Sequence, residues 1–212
     1  MVTFMLLLRE HFYIGSANIG SRGASWTKEL GVLATNCSQL ARDARKIIDL
    51  YWSVDGLGTL PSTYPKDLAT RLNAHSPIKI LNTFDSTVYK VFIGSSPKPL
   101  NADGRTDDLT AILGLINSAS EYIYIAVNEY IPMDLWKKKQ PWTVIDDALK
   151  AAVQDRKVRV KLLVNSRASH KSLMLKHLHD LINFDPQLIQ AKIYSVKQIM
   201  TGKVPMKVFF YG

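Results

Sequence analysis

A single cysteine, Cys37, is all the sulfur bridging capacity in this chain of 212 residues, so no disulfide can close within it. Long apolar runs are missing too: no stretch approaches the roughly 20 residues that span a bilayer. Met1 to Leu8 is apolar, but it has no basic flank and is short for a signal core, so it reads as a buried strand. Acidic residues are scarce beside basic ones, 18 against 27, for a net charge of +9 and a pI near 9.6. That surplus favours anionic partners such as nucleic acid or phospholipid head groups. Aromatic and basic residues do not interleave along the chain as they would in a dedicated nucleic-acid module. The densest basic run, Lys137-Lys138-Lys139 after Trp136, reads as a solvated loop. Apolar content is ample at 47%, enough for the core of one fair-sized domain and against disorder.

The stretch from Gly15 to Glu29 concentrates the polar chemistry. His11-Phe12-Tyr13-Ile14 reads as a short buried strand, and Gly15-Ser16 ends it where the backbone needs either φ > 0 or close approach to another group. Beyond that exit stand a hydroxyl at Ser16, an amide at Asn18, a fixed cation at Arg22 and a carboxylate at Glu29. Together they suit the holding of a phosphate and the orienting of a partner side chain. Asn18 lies three residues after Gly15, Arg22 four after Asn18, and Glu29 seven after Arg22.

This spacing resembles the tail of the phospholipase D signature, GSxN-xxx-R-x6-E. Further blocks are similar to one animal branch of that superfamily, which holds membrane-anchored lumenal proteins, some of them single-strand nucleases. These blocks are Lys28-Glu29-Leu30-Gly31-Val32, Asn36-Cys37-Ser38, Leu40-Ala41-Arg42-Asp43, Tyr51-Trp52, Gly104-Arg105-Thr106-Asp107-Asp108-Leu109, Tyr122 to Val127 and Val158 to Leu163. The resemblance implies a phosphodiesterase that needs no cofactor or metal and acts on phospholipid or single-stranded nucleic acid. In it one histidine attacks phosphorus while a second protonates the leaving oxygen. Carried onto this chain, Ser16 and Asn18 would support the phosphate, Glu29 would orient an imidazole, and Arg22 would brace the loop. The resemblance also implies an endoplasmic-reticulum or lysosomal lumen, where Asn36-Cys37-Ser38 is a glycosylation sequon and Cys37 would pair outside the chain.

The signature's lead-in, His-x-Lys-x4-Asp, is absent. Counted back from Gly15, its three chemical positions hold Met1, Thr3 and Leu8. None of the five histidines, His11, His75, His170, His177 and His179, has a lysine two places on. No catalytic residue is therefore assigned. The expectation is a fragment, from a truncated gene model or a degenerate paralogue, that hydrolyses nothing by itself. The other reading is a non-catalytic lumenal protein that keeps the fold for binding or assembly.

Pattern along the chain gives an α/β fold of sheet with flanking helices, and the resemblance implies that this is a phospholipase D-like sandwich with two halves about an incomplete pseudo-twofold. Residues 1–56 read as the end of the first half, 57–100 as a connector dense in Gly and Pro, and 101–212 as the start of the second half. Glu29 to Ala34 reads as a buried strand. Ser38 to Tyr51 reads as a helix capped by Ser38, with Leu40, Ala41, Ala44, Ile47, Ile48 and Tyr51 on its buried face. Ile78 to Pro99 reads as irregular around one strand at Thr87 to Ile93. Then follow helix Asp107 to Ala119, strand Tyr122 to Val127, helix Trp142 to Val153, strand Val158 to Val164, helix Ser172 to Ile182, and strands Gln190 to Val196 and Lys207 to Tyr211. His177 and His179 lack a third ligand for a metal and read as solvent-facing. Glu129, just past a strand end, reads equally as a ligand group or a turn cap. Unpaired sheet edges would favour a homo-oligomer.

Overall fold

A computed structural model describes residues 4–18, 29–81, 84–136, 140–165 and 170–194. By density of contact the chain divides into two compact units, Met1–Ile112 and Leu113–Gly212.

The first unit opens with three short strands, β1 (Phe4–Leu7), β2 (Phe12–Gly15) and β3 (Gly31–Ala34), in an antiparallel sheet with β2 at the centre. The register sets Gly15 opposite Phe4 on one side and Gly31 on the other. β3 is an edge strand, and Val32 and Leu33 are 61% and 68% exposed, which corrects the expectation of a buried strand there. Helix α1 (Ser38–Val54) packs Leu40, Ala41 and Ala44 on Phe12, with Leu7 and Ile14 beside them. Its buried face also includes Asp43 and Leu50, while Ile48 and Tyr51 are only half-buried. Cys37 holds the N-cap position with no side-chain cap bond and Ser38 is already helical, so the expected serine cap does not form.

The 57–100 segment folds within this unit. Leu68 and Leu100 join Leu50 and Ala102 in a second core cluster, and Lys46 Nζ donates to the Ala69 carbonyl. The single strand expected between Ile78 and Pro99 is a hairpin of two, β4 (Ile78–Leu81) and β5 (Val88–Val91). The turn signals around Asp85 and Ser86 were there to be read; Ser86 takes φ of 59° and Asp85 Oδ1 accepts the Thr87 N–H at 2.9 Å. Helix α2 (Asp108–Ser118) begins with Asp107 as its cap, accepting from Thr110 N at 3.0 Å and Thr110 Oγ1 at 2.7 Å. Those two bonds, the hydroxyl first, hold the Asp107 carboxyl below the usual carboxylate range.

One charged contact organises this unit. Arg105 Nη1 meets Asp43 Oδ2 at 2.5 Å with both side chains only 3% exposed. The guanidinium also donates to the Asp43 carbonyl at 3.1 Å and the Ile93 carbonyl at 3.0 Å, and Thr70 Oγ1 donates to Asp43 Oδ1. Both carboxylate oxygens of Asp43 and both terminal nitrogens of the guanidinium are thereby engaged, the condition for burying such charges without heavy loss.

The second unit alternates strand and helix: β6 (Tyr122–Val127), α3 (Val144–Arg156), β9 (Arg159–Asn165), α4 (Lys171–Phe184) and β10 (Ile189–Tyr194). A two-residue ladder, β7 (Met133–Asp134) with β8 (Gln140–Pro141), precedes α3. The main sheet is parallel with order β10-β9-β6. The two connections step the same way along the sheet, and the right-handedness general to such crossovers puts both helices on one face. There Val160, Leu162 and Val164 meet Leu149, Val153, Leu178 and Leu181 in a fully buried core. The strands predicted from Val158 and from Gln190, and the helices from Trp142 and Ser172, thus form with ends shifted by one to three residues. The strand expected at Lys207 to Tyr211 lies outside the described residues.

Beside that core, Tyr130 is buried and donates to Asp146, whose other oxygen meets Lys150 Nζ at 2.6 Å. Burial first, then the Asp146 bond and charge, push the Tyr130 phenol well above its ordinary value. A raised pKa means that the folded state keeps a proton which the unfolded chain releases near pH 10. The stability this group contributes is full below about pH 10 and declines as pH rises beyond it. Chemical denaturation from pH 8 to 11 is expected to show that decline, and Tyr130→Phe to remove this group's share of the slope.

Candidate functional site

The β2–β3 corner carries the residues singled out from the sequence. Gly15 and Gly31 face one another across the ladder, and the Tyr13 ring lies against both. A Cβ on Gly15 would stand 2.5 Å from the Tyr13 hydroxyl, and one on Gly31 2.1 Å from it. Gly15 has no positive φ, so of the two reasons considered for glycine there, close approach is the one that applies.

Just beyond, Ser16 Oγ donates to Glu29 Oε2 at 2.5 Å and accepts the Leu30 N–H at 3.0 Å. Ser16 N donates to the Leu30 carbonyl at 3.0 Å, which extends the ladder by one rung. Ser16 is thus tied to Glu29 and Leu30, with the half-buried Glu29 carboxylate at the tie. Asn18 is exposed two residues past Ser16. Arg22 lies outside the described residues.

Where the signature would need its lead-in, Leu8 is 58% exposed in the turn after β1, and its N–H bonds the His11 carbonyl at 2.8 Å. Met1 and Thr3 lie outside the described residues. His11 itself is engaged, its Nδ1 accepting the Asn36 N–H at 3.2 Å. Asn36 is exposed with φ of 53°, directly ahead of α1.

A second polar group sits at the carboxyl edge of the β6–β9 pair, the usual place for ligand chemistry in parallel sheets. Asn165 Nδ2 donates to Asn128 Oδ1 at 2.9 Å. Glu129 Oε1 accepts the His170 N–H at 2.8 Å and lies 3.6 Å from His170 Nδ1. Glu129 therefore holds the backbone at His170, just ahead of α4. It also borders an open cleft of about 230 Å³ lined by Ile131, Met133, Asp134, Leu135 and Trp136. On α4, His179 is exposed against Asn183, but His177 is half-buried and its Nε2 is enclosed without a hydrogen-bond partner. That corrects the solvent-facing reading for His177. Among the described residues no three His, Cys, Asp or Glu side chains come together as a metal site.

A family model described as "PLD3/4, PLD-like domain" matches residues 1–202. The chain belongs to the phospholipase D superfamily, in its PLD3/4 branch. It is similar to a protein named 5'-3' exonuclease PLD3 of Xenopus laevis, 38% identical over 200 residues, covering 91% of this chain and 40% of that protein. Against the Homo sapiens protein of the same name the identity is 37% over 199 residues, with the same coverage of each. A Mus musculus protein named 5'-3' exonuclease PLD4 is 36% identical over 186 residues, covering 85% of this chain and 36% of its own. The chain therefore spans about two fifths of the length of these curated relatives.

Membership in this family recasts several residues quoted for the resemblance. Asp43 and Arg105 both fall in those blocks, and in the folded chain they are each other's buried partners, so these blocks carry architecture as well as site. Nothing in the sequence marked them as a pair. The spacing marked Ser16 and Glu29 for separate roles, and their direct bond was not anticipated from it.

Proposed function

We propose that this chain provides the Asn18–Glu29 corner of a PLD3/4-type phosphodiesterase directed at single-stranded nucleic acid, and that by itself it binds without cleaving. The observation that carries the reading is the Ser16–Glu29 bond, two residues before the exposed Asn18. A serine hydroxyl has one proton, and here it is committed to the carboxylate. Ser16 then acts as the residue that positions Glu29, and phosphate contact falls to the Asn18 amide. Glu29, fixed by Ser16, is suited to accept from an imidazole N–H and so set its tautomer, as carboxylates do beside catalytic histidines. Arg22 keeps its proposed bracing role. The histidine and lysine that such chemistry needs have no counterpart at Met1 and Thr3.

Nucleic acid is preferred to phospholipid because the relatives at 36–38% identity are named exonucleases and the net charge is +9. The absence of any His-x-Lys keeps a second reading in view, a non-catalytic binding or assembly protein. A 5'-labelled single-stranded oligonucleotide, incubated with the purified chain in EDTA, is expected to bind and remain uncut. Release of labelled nucleotide, abolished by Asn18→Ala, would overturn the non-catalytic half of the proposal; binding to anionic vesicles but not to the oligonucleotide would overturn the choice of substrate. Lumenal placement belongs to the same proposal. A glycan on the exposed Asn36, seen as a gel shift that Asn36→Gln removes after secretory expression, is the expected mark of it, and an unshifted chain would count against it.

A further inference from the structure

The outward face of the β10-β9-β6 sheet holds chemistry that the β2–β3 corner does not use. Parallel sheets are ordinarily covered on both faces. Here α3 and α4 cover one, and on the other Tyr122 and Tyr124 of β6 are 55% and 61% exposed. Cross-strand register places Arg159 beside Tyr122 and Lys161 beside Tyr124, with Gln190 beside Lys161 on the far strand and Lys192 one pair further along the same face. The two tyrosine rings have centroids 4.8 Å apart at an interplanar angle of 41°. Lys161 Nζ stands 5.0 Å from the centre of the Tyr124 ring, a cation–π distance. None of the outward positions along these three strands is acidic.

We propose that this face is a second binding surface, a stacking platform for single-stranded nucleic acid. Bases rest on Tyr122 and Tyr124, and phosphates are met by Arg159 and Lys161. The choice of occupant rests on the nucleic-acid reading above and on charge. A face of one sign repels a second copy of itself, and its few aliphatic groups give an apolar partner little to bury. Exposed aromatic rings interleaved with cations are what sequence-tolerant binding of unpaired bases uses.

The test is fluorescence anisotropy of a labelled oligothymidylate of about 12 nucleotides, within the site sizes of such surfaces, titrated with the full chain. Tyr122→Ala combined with Tyr124→Ala is expected to weaken binding about tenfold or more, whereas Phe at both positions retains affinity because a phenyl ring still stacks. Lys161→Gln is expected to lower the salt slope by about 0.7, the share of one phosphate contact on a single strand. All three substituted side chains project from the sheet, so thermal melting should stay unchanged and serves as the check on folding. Affinity within twofold of the parent for the Ala pair, or equal loss for the Ala and Phe pairs, would overturn the proposal. So would loss of a dimer by sedimentation with affinity intact, which would assign the face to a second copy. A parent chain that binds no oligonucleotide overturns the nucleic-acid reading itself, whereas a parent that binds while the variants match it overturns only the platform.

Discussion

Arg105→Ala is expected to lower the folding free energy by about 3–5 kcal/mol, the usual cost of leaving a buried charge without its partner. The Asp43 carboxylate would keep only the Thr70 hydroxyl, while Ile93 and Asp43 would each lose a donor to their carbonyls. Urea unfolding followed by circular dichroism reads the loss directly. Replacing both partners with apolar residues of similar size, Asp43→Leu with Arg105→Met, is expected to recover most of it, since buried pairs contribute little over a well-packed hydrophobic substitute. If the single and double variants are equally unstable, the pair is not what holds this region. The consequence reaches the candidate site, because the helix that carries Asp43 also packs Leu40, Ala41 and Ala44 against Phe12 and Ile14, on the strand that leads into Ser16. Loosening that helix loosens the strand that positions Ser16 and Glu29.

Gly104→Ala is expected to cost about 2–5 kcal/mol, from a left-handed backbone that L side chains resist and from a steric collision of the overpacking kind. Gly104 has φ of +80°, and a Cβ there would lie 2.1 Å from the Thr70 carbonyl oxygen. That oxygen belongs to backbone and cannot swing aside. Thr70 is fixed further by its N–H to the Asp103 carbonyl at 2.9 Å and by its hydroxyl on Asp43. Displacing it disturbs the same cluster that Arg105 completes, so Gly104→Ala and Arg105→Ala should combine non-additively in a double-variant cycle. Full additivity, or a loss under about 1 kcal/mol for Gly104→Ala, would contradict this account.

The two glycines of the β2–β3 corner differ in kind from Gly104. What a Cβ would meet there is a tyrosine ring, which can rotate away, so their substitution should shift the ring more than it unfolds the unit.

Much of this molecule could be read before any coordinates. Period-two and period-3.6 patterns located the parallel-sheet strands and both crossover helices, because a core that covers one face imposes its periodicity directly on the chain. The spacing from Gly15 to Glu29 pointed to the family, since that is a matter of residue identity at fixed intervals. Pattern failed where the partner is remote. Asp43 sits among apolar residues on the buried face of its helix, and only the arrival of Arg105 from 62 residues away explains why a carboxylate belongs there. Aromatic and basic residues do not alternate along the chain, yet Tyr124 and Lys161 lie side by side because their strands pair in parallel at one register. Register depends on how sheets and helices pack as a whole, and a shift of one residue would turn every one of those side chains to the opposite face. Residue types and local periods were therefore settled by the sequence, and the partnerships that bury a charge or assemble a surface were settled only by the tertiary fold.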